Sequence, residues 1–217
     1  MPWRYEQVSA IRGGLAQRYR PMVDLGAGCG LRQGEILGLG VDDIDFDGGW
    51  VHVCRQVKLV RSRLVFGLPK NDRDRRIPLP DSVAQVLKQH VGDFAPVSLT
   101  LPWEDPATDE RVTVPLLFTT TRRGAINRRT FDNKSWRPAV VAASITPTRF
   151  TGMHALRHFY ASSLLDAGES IKALASYLGH ADPGFTLRVY THLMPASEER
   201  TRNAIDLLFS NDPQGDG

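Results

Sequence analysis

The sequence contains few of the features that mark secreted, membrane or metal-binding proteins. Only two of its 217 residues are cysteines, Cys29 and Cys54, and their separation matches no metal-ligand or redox motif. Disulfide bonds are not needed, and a reducing compartment is expected. There is no long apolar run and no signal-like start, so neither a membrane span nor secretion is supported. Internal repeats and low-complexity tracts are also absent, and this length suits one domain or at most two.

Charge is modest in total but unevenly distributed. The formal net charge is 27 − 24 = +3. Residues 55–76 carry eight cations against two aspartates, a local +6, and residues 122–137 carry six against one, a local +5. Clusters of this density indicate surfaces that follow a phosphate backbone, although each alone is equally consistent with a solvated charged hairpin. The candidate DNA-binding residues within these clusters are Arg73, Arg75, Arg76, Arg122, Arg123, Arg128 and Arg129.

The hydrophobic pattern predicts an α+β fold, a mainly helical domain with a small antiparallel three-stranded sheet. Residues 92–115 contain five prolines and glycines and are predicted to be a loop or insertion. The predicted strands are 51–57, 59–66 and 75–78, with Lys70 on the connecting turn. The predicted helices are 5–19, 22–39, 81–90, 129–143, 154–166, 170–178, 183–191 and 196–209.

A polar stripe on the predicted helix at 153–166 is hard to explain as packing. His154, Arg157 and His158 fall on one side, because residues three and four apart are neighbours, and an apolar face lies opposite. The helix N-terminus nearby favours an anion such as phosphate. The two histidines are also consistent with hydrogen-bonded packing or with an i,i+4 metal pair. A zincin-type site would have Glu after the first histidine, where this chain has Ala155.

The polar residues that stand out form an ordered set with the chemistry needed to attack a phosphodiester. Guanidinium groups stay charged and stabilise the transition-state oxygens, a lysine can protonate the leaving oxygen, and a tyrosine can be the nucleophile if its environment helps it. Each member also has a structural interpretation, such as a surface ion pair or a wall residue. The ordered set is Arg32, Lys70, His154, Arg157, His180 and Tyr190.

These residues and their neighbouring motifs resemble the tyrosine recombinases, the phage integrase family. The resemblance runs from about residue 23 to 192 and includes the Arg32 box at 30–45, Leu-Gly-His at 178–180 and Val-Tyr-Thr-His at 189–192. A valine at 41 stands where an aromatic residue is common, which concerns packing rather than chemistry. The resemblance implies a tyrosine-recombinase-like catalytic domain that acts on double-stranded DNA and needs no cofactor and no metal.

The resemblance also implies a role for each matched residue. Arg32 and Arg157 correspond to the phosphate-clamping arginines, and His180 to a third donor to the same oxygens. Tyr190 corresponds to the nucleophile that forms a 3'-phosphotyrosyl link, and Lys70 to the lysine that protonates the 5'-oxygen. His154 resembles the proton-handling residue near the tyrosine, and Glu35 the acidic residue that orients the site. His158 and His192 match frequent family residues whose role is less defined.

Other functions compete with site-specific recombination. A type IB topoisomerase would use similar chemistry without site specificity, and a DNA-binding regulator would lack the chemistry. Residues 23–30 also look like the glycine-rich loop of an S-adenosylmethionine-dependent methyltransferase. That loop requires a strand before it, a helix after it and further strand–helix units. The sequence after residue 100 supplies little for such a sheet.

The expected organisation is a catalytic domain over 1–209 followed by a disordered tail at 210–217. No segment matches the N-terminal helical domain that family members use to close around DNA, which favours an isolated catalytic fragment. The resemblance implies a homotetramer on DNA, with accessory DNA-bending factors as further partners and no membrane association. The expected location is the cytoplasm of a bacterial or phage-infected cell, in association with the nucleoid.

Overall fold

A computed structural model describes residues 2–70, 74–190, 202–203 and 205–206. The predicted α+β class is confirmed, with helices surrounding small antiparallel sheets. The predicted helix at 196–209 and the predicted tail at 210–217 lie almost wholly outside the described residues. No helix in the described part is long and apolar enough to cross a membrane. The helices are α1 (Tyr5–Gly14), α2 (Arg20–Gly28), α3 (Gln33–Leu37), α4 (Asp81–Asp93), α5 (Arg128–Phe131), α6 (Arg137–Ala142), α7 (His154–Asp166), α8 (Ile171–Leu178) and α9 (Pro183–Tyr190).

The sheet region is built from more and shorter strands than predicted. A three-stranded antiparallel sheet has the order β1 (Ile44–Asp45), β2 (Trp50–Val53) and β5 (Arg75–Pro78). The predicted strands 51–57 and 59–66 are wrong, because the chain leaves the first sheet after Val53 and forms a separate hairpin. That hairpin consists of β3 (Gln56–Val60) and β4 (Arg63–Gly67). It turns at Arg61 and Ser62, whose φ angles of 46° and 65° suit a tight hairpin turn.

The loop predicted over 92–115 is also wrong. Much of this segment is the hairpin of β6 (Val97–Pro102) and β7 (Arg111–Leu116). Valine and leucine alternate with hydroxyl residues on both strands, which is the two-residue period of a half-buried sheet. Its prolines lie at the end of β6, in the connecting loop and near the end of β7, so they did not prevent pairing.

The helix predicted over 22–39 is interrupted in the middle. Helix α2 ends at Gly28, and Gly30 adopts a φ of +66° before α3 begins. A Cβ at position 30 would lie 2.5 Å from the Tyr160 ring, and one at Gly26 would lie 2.8 Å from Leu156. The glycines therefore allow α2 to pack closely against α7. Since residues 2–22 contain no strand in the described structure, the methyltransferase interpretation is not favoured.

Two groups of buried apolar side chains hold these elements together. The larger group extends from Val8 to Leu156 and includes Trp136, Phe66 and Phe118. The smaller group contains residues of α7, α8 and α9, and the partly buried Tyr177 packs against both groups. Its buried members are Tyr160, Ala161, Leu165, Leu174, Leu178 and Tyr190. The predicted nucleophile therefore lies in the smaller group.

Gly30→Ala should destabilise the protein by about 2–4 kcal/mol, because alanine is strained at positive φ and its methyl group collides with Tyr160. Urea unfolding measures the change. Gly92→Ala is the matched control, since a Cβ there has no atom within 4 Å and the residue is helical. That control should be neutral or stabilising by up to about 1 kcal/mol. Equal stability of the two variants would contradict the proposed packing role of Gly30.

Candidate active site

One groove of about 1300 Å³ brings most of the predicted site residues together. Arg32 is the N-cap residue of α3, Lys70 follows β4, and His180 follows α8. Glu35 lies buried beneath the groove, and His192 lies outside the described residues. The predicted catalytic and supporting residues that line the groove are Arg32, Lys70, His154, Arg157, His158, His180 and Tyr190.

Arg157 is a buried cation of the site. Although the sequence places Arg157 on the polar stripe opposite the apolar face of α7, the residue is only 7% exposed. Its Nη1 donates to the Gly30 carbonyl at 2.8 Å, and its Nη2 donates to the carbonyl of Leu178. Burial, reinforced by the charges of Arg32 and Arg75, lowers the pKa of Arg157 to about 9, so the group remains charged at neutral pH.

Glu35 is a buried carboxylate shared by two arginines. Arg32 Nη1 donates to its Oε1 at 2.8 Å, and the Arg32 backbone N–H donates to its Oε2 at 2.8 Å. Arg75 donates to both oxygens, at 3.0 and 2.8 Å. Burial opposes ionisation of Glu35, but the hydrogen bonds and charge of Arg75, with the charge of Arg32, outweigh it and lower its pKa to about 2. Glu35 therefore fixes the orientation of Arg32.

Arg75 has a different place from the one predicted. It was predicted to contact DNA, but its side chain is only 6% exposed and is bound to Glu35. Its Nε also donates to the Tyr177 carbonyl at 2.7 Å. A guanidinium with these partners supports the site from below rather than facing a phosphate backbone.

Three arginines of the site, Arg32, Arg75 and Arg157, meet at the C-terminus of α8. Arg75 binds the carbonyl of Tyr177, while Arg32 Nη2, at 3.3 Å, and Arg157 bind that of Leu178. Cations at the end of a helix interact favourably with its unpaired carbonyls and its dipole. The helix ends at Gly179, which has a φ of 64°, and the next residue is His180. These bonds therefore place His180 beside Arg157.

The contacts of His180 determine which ring nitrogen carries its proton. Arg157 Nη2 lies 3.2 Å from His180 Nε2 and can only donate, so Nε2 accepts. His180 Nδ1 must then carry the hydrogen and donate to Thr186 Oγ1 at 2.8 Å. Burial, together with the charges of Arg157, Arg32, Arg75 and Lys70, lowers the pKa of His180 to about 4. The imidazole is therefore neutral at pH 7.

Thr186 is a site residue that the sequence analysis missed. It is fully buried on α9 and holds the far side of the His180 ring. Its only sequence signal is its place six residues after His180, which gives no indication that the two side chains meet.

Tyr190 ends α9 with its side chain largely buried, at 2% exposure. Burial raises the pKa of its phenol, while the nearby charges of Arg157 and Arg32 act in the opposite direction. The His158 ring lies 5.7 Å from the Tyr190 ring, and the His154 ring lies 5.9 Å beyond it. Burial and the charge of Arg128 lower the pKa of His154, against the effect of Asp132. The two imidazoles thus lie in series beside the phenol.

Only some of the arginines predicted to bind DNA line the groove. Arg128 and Arg129 line it, whereas Arg76, Arg122 and Arg123 are exposed but lie outside its lining. Arg73 lies outside the described residues. Three other cations also line the groove. Lys58 and Arg137 belong to the two basic clusters identified in the sequence, and Arg149 lies outside them.

Among the described residues, His154 and His158 are joined by no third side chain that could complete a metal site. Throughout the part of the chain that the structure describes, no three His, Cys, Asp or Glu side chains are close enough together to hold a metal ion.

Solved structures show which class of protein shares this fold. The catalytic domain of bacteriophage HP1 integrase aligns with a TM-score of 0.60 and 18% identity over 98% of both chains. A complex of the Tn1549 transposon integrase with circular intermediate DNA aligns with a TM-score of 0.73 and 21% identity, over 96% of this chain and 67% of that one. The fold is therefore that of an integrase catalytic domain.

Sequence comparison gives the family. The phage integrase family model matches residues 5–197, so the chain belongs to that family. A XerC-like tyrosine recombinase of Caldanaerobacter subterraneus is 28% identical over 94% of this chain and 53% of its own length. The XerC tyrosine recombinase of Neisseria gonorrhoeae is 30% identical over 82% of this chain and 48% of its own. The chain thus spans about half the length of these curated relatives.

Glu35→Gln should lower the free energy of unfolding by about 3 kcal/mol at pH 7, because it breaks a buried ion pair. Since the folded state depresses the pKa of Glu35 from 4.5 to about 2, its contribution is complete above pH 4.5 and is lost as pH falls toward 2. The difference in the free energy of unfolding between wild type and variant, measured by urea unfolding, should decrease as the pH is lowered from 5 to 3. Glu110→Gln, at an exposed position, is the control and should have almost the same free energy of unfolding as wild type at either pH. If the loss of stability in Glu35→Gln is the same at every pH, Glu35 does not have the lowered pKa of a buried, ion-paired carboxylate.

Proposed function

We propose that this chain is the catalytic domain of a site-specific DNA recombinase that cleaves and rejoins strands through a covalent 3'-phosphotyrosyl intermediate. The observation that carries the proposal is the convergence of Tyr190, Arg32, Arg157 and His180 on one cation-rich groove. These residues come from four separate places in the sequence. A buried tyrosine beside two fixed arginines has little structural explanation and suits attack on a phosphate.

The phosphate occupies the space in front of the arginines. Arg157 uses part of its five-donor guanidinium on Gly30, Leu178 and His180, which leaves Nε–H and one Nη1–H for non-bridging oxygens. Arg32 supplies a second charge, held in direction by Glu35. Positive charge fixed before the substrate arrives stabilises the transition state without reorganisation.

His180 changes its role when the phosphate binds. In the free protein its Nε2 accepts from Arg157, so it cannot donate to an oxygen through that nitrogen. The negative charge of a bound phosphate raises the pKa of His180 and favours a proton on Nε2, which then donates to the phosphate. The Thr186 hydroxyl keeps the ring in place, since it is able both to accept and to donate.

The cleavage step is a displacement at phosphorus. The Tyr190 oxygen forms a bond to phosphorus as the bond to the 5'-oxygen breaks. The phenolic proton leaves toward His158 and His154, and Lys70 gives a proton to the departing 5'-oxygen. Religation reverses each transfer. The arginines provide the charge stabilisation that a metal ion would otherwise supply.

We propose double-stranded DNA as the partner and a homotetramer as the active assembly, with accessory DNA-bending factors where a system uses them. The basic rim formed by Lys58, Arg128, Arg129, Arg137 and Arg149 supports the DNA contact. A solved complex of the related XerH recombinase contains its palindromic difH substrate, in a post-cleavage state. Plasmid relaxation without recombinant products would favour the type IB topoisomerase alternative instead.

Tyr190→Phe should reduce covalent adduct formation at least about 10³-fold, because it removes the nucleophile, while noncovalent DNA affinity changes less than about twofold. The substrate is a library of nicked duplexes from which the wild type captures its own site, and denaturing gels separate the adduct. Tyr160→Phe is the control, since Tyr160 is a buried tyrosine of the same apolar group. It should retain adduct formation. Undiminished adduct formation by Tyr190→Phe would contradict the assignment of Tyr190 as the nucleophile.

Lys70→Ala should slow cleavage by about 10²- to 10⁴-fold, the loss typical of a general acid. A substrate with sulfur in place of the bridging 5'-oxygen has a leaving group that needs no proton, so it should restore cleavage to this variant. Arg157→Ala should not be rescued, because its defect is in transition-state charge. If sulfur fails to rescue Lys70→Ala, the lysine contacts phosphate and another residue gives the proton.

A further inference from the structure

The turn of the β6–β7 hairpin lies against the hairpin that leads to Lys70. Phe66 on β4 forms a parallel bridge with Trp103. The next residue, Glu104, donates its backbone N–H to the Phe66 carbonyl at 2.7 Å. The end of β4 is therefore held by a segment almost 40 residues further along the chain.

Glu104 makes two side-chain contacts from this position. Its Oε1 accepts from the Leu68 backbone N–H at 2.6 Å, and its Oε2 accepts from Lys58 Nζ at 2.7 Å. Its φ is +60°, a region that a residue with a Cβ seldom occupies. Such a conformation persists where surrounding contacts impose it and is often found at functional sites. Gly67 makes room for the contact, since a Cβ there would meet both Glu104 Oε1 and the Lys58 side chain.

These contacts fix the chain immediately before Lys70. The Leu68 peptide is bound on both sides, because its N–H donates to Glu104 and its carbonyl accepts from Gln56 Nε2 at 2.6 Å. Pro69 follows and is buried, with its φ restricted by the ring. Lys70 is then exposed at the groove. A side chain on a turn can deliver a proton efficiently only if the backbone beneath it is held in place.

We infer that Glu104 is a positioning residue that acts through the Leu68 amide to hold Lys70 at the leaving oxygen. The inference rests on the proposed function, since it requires Lys70 to be the proton donor. Glu104 has no place in the reaction itself, and its carboxylate is used by Leu68 and Lys58. No pattern in the sequence marks it, because it lies in a hairpin that reads as a loop.

The charge of Glu104 allows its positioning role to be separated from an effect on DNA binding. Removing a carboxylate beside a basic groove should leave DNA affinity unchanged or increase it. Slower cleavage in such a variant cannot then be explained by weaker binding. Slower cleavage would then indicate that the proton donor is misplaced.

The experiment compares cleavage of bridging-oxygen and bridging-sulfur substrates by Glu104→Ala and by a matched control. Asp105→Ala removes the neighbouring carboxylate, which accepts from the Ala107 backbone N–H at 2.9 Å and lies 3.7 Å from Arg61, with both charged side chains largely exposed. Glu104→Ala should cleave the oxygen substrate about 10- to 100-fold more slowly than wild type and the sulfur substrate at the wild-type rate. Asp105→Ala should cleave both at the wild-type rate. Gly67→Ala, which displaces the intact Glu104 side chain, should reproduce the selective defect.

Two outcomes for Glu104→Ala would overturn the inference. One is cleavage of the oxygen substrate at the wild-type rate, and the other is an equal loss on both substrates, which would indicate a general effect on the fold. Lys70→Ala, measured in parallel, tests separately whether Lys70 is the proton donor. If sulfur does not rescue that variant, Lys70 is not the proton donor, and the proposed acid and the inference built on it both fail.

Discussion

The structure depends on the meeting of three guanidinium groups at the C-terminus of α8. Arg32, Arg75 and Arg157 each donate to the carbonyl of Tyr177 or Leu178, and Glu35 binds two of the three from the other side. Removing charges from water is costly unless each is paired and hydrogen-bonded. Here the unpaired carbonyls of a helix end, supplemented by one carboxylate, provide that compensation. The same bonds attach α8, and the residues that follow it, to the rest of the protein.

This arrangement leaves the groove with excess positive charge. One carboxylate serves Arg32 and Arg75, while Arg157 is balanced by neutral carbonyls and a neutral imidazole. The charge also acts on a neighbouring residue, since burial together with the charges of the three arginines and Lys70 lowers the pKa of His180 to about 4. A bound anion would relieve the repulsion among these cations. The fold therefore uses α8 to hold in place a charge that is complementary to phosphate.

Local signals in the sequence were sufficient for the site-bearing helices but not for long-range pairing. Helix α7 was predicted with its observed bounds, and α9 follows from Asp182 and Pro183 at its start. The β6–β7 hairpin was missed because its prolines suggested a loop. Arg75 was assigned to DNA because its charged neighbours are close in sequence, whereas its partner Glu35 is 40 residues away. Burial of a charge depends on such distant partners, and composition does not reveal them.

Tyr190 belongs to an apolar group of six buried side chains that is distinct from the main core. Segments held by few apolar contacts open at a lower free-energy cost than the domain as a whole. We therefore expect α9 to open at a lower free-energy cost than α2 or α4. The position of the Tyr190 hydroxyl therefore depends both on its electrostatic surroundings and on whether α9 is docked. For the proposed reaction, undocking of α9 would withdraw the nucleophile while the main core stays intact.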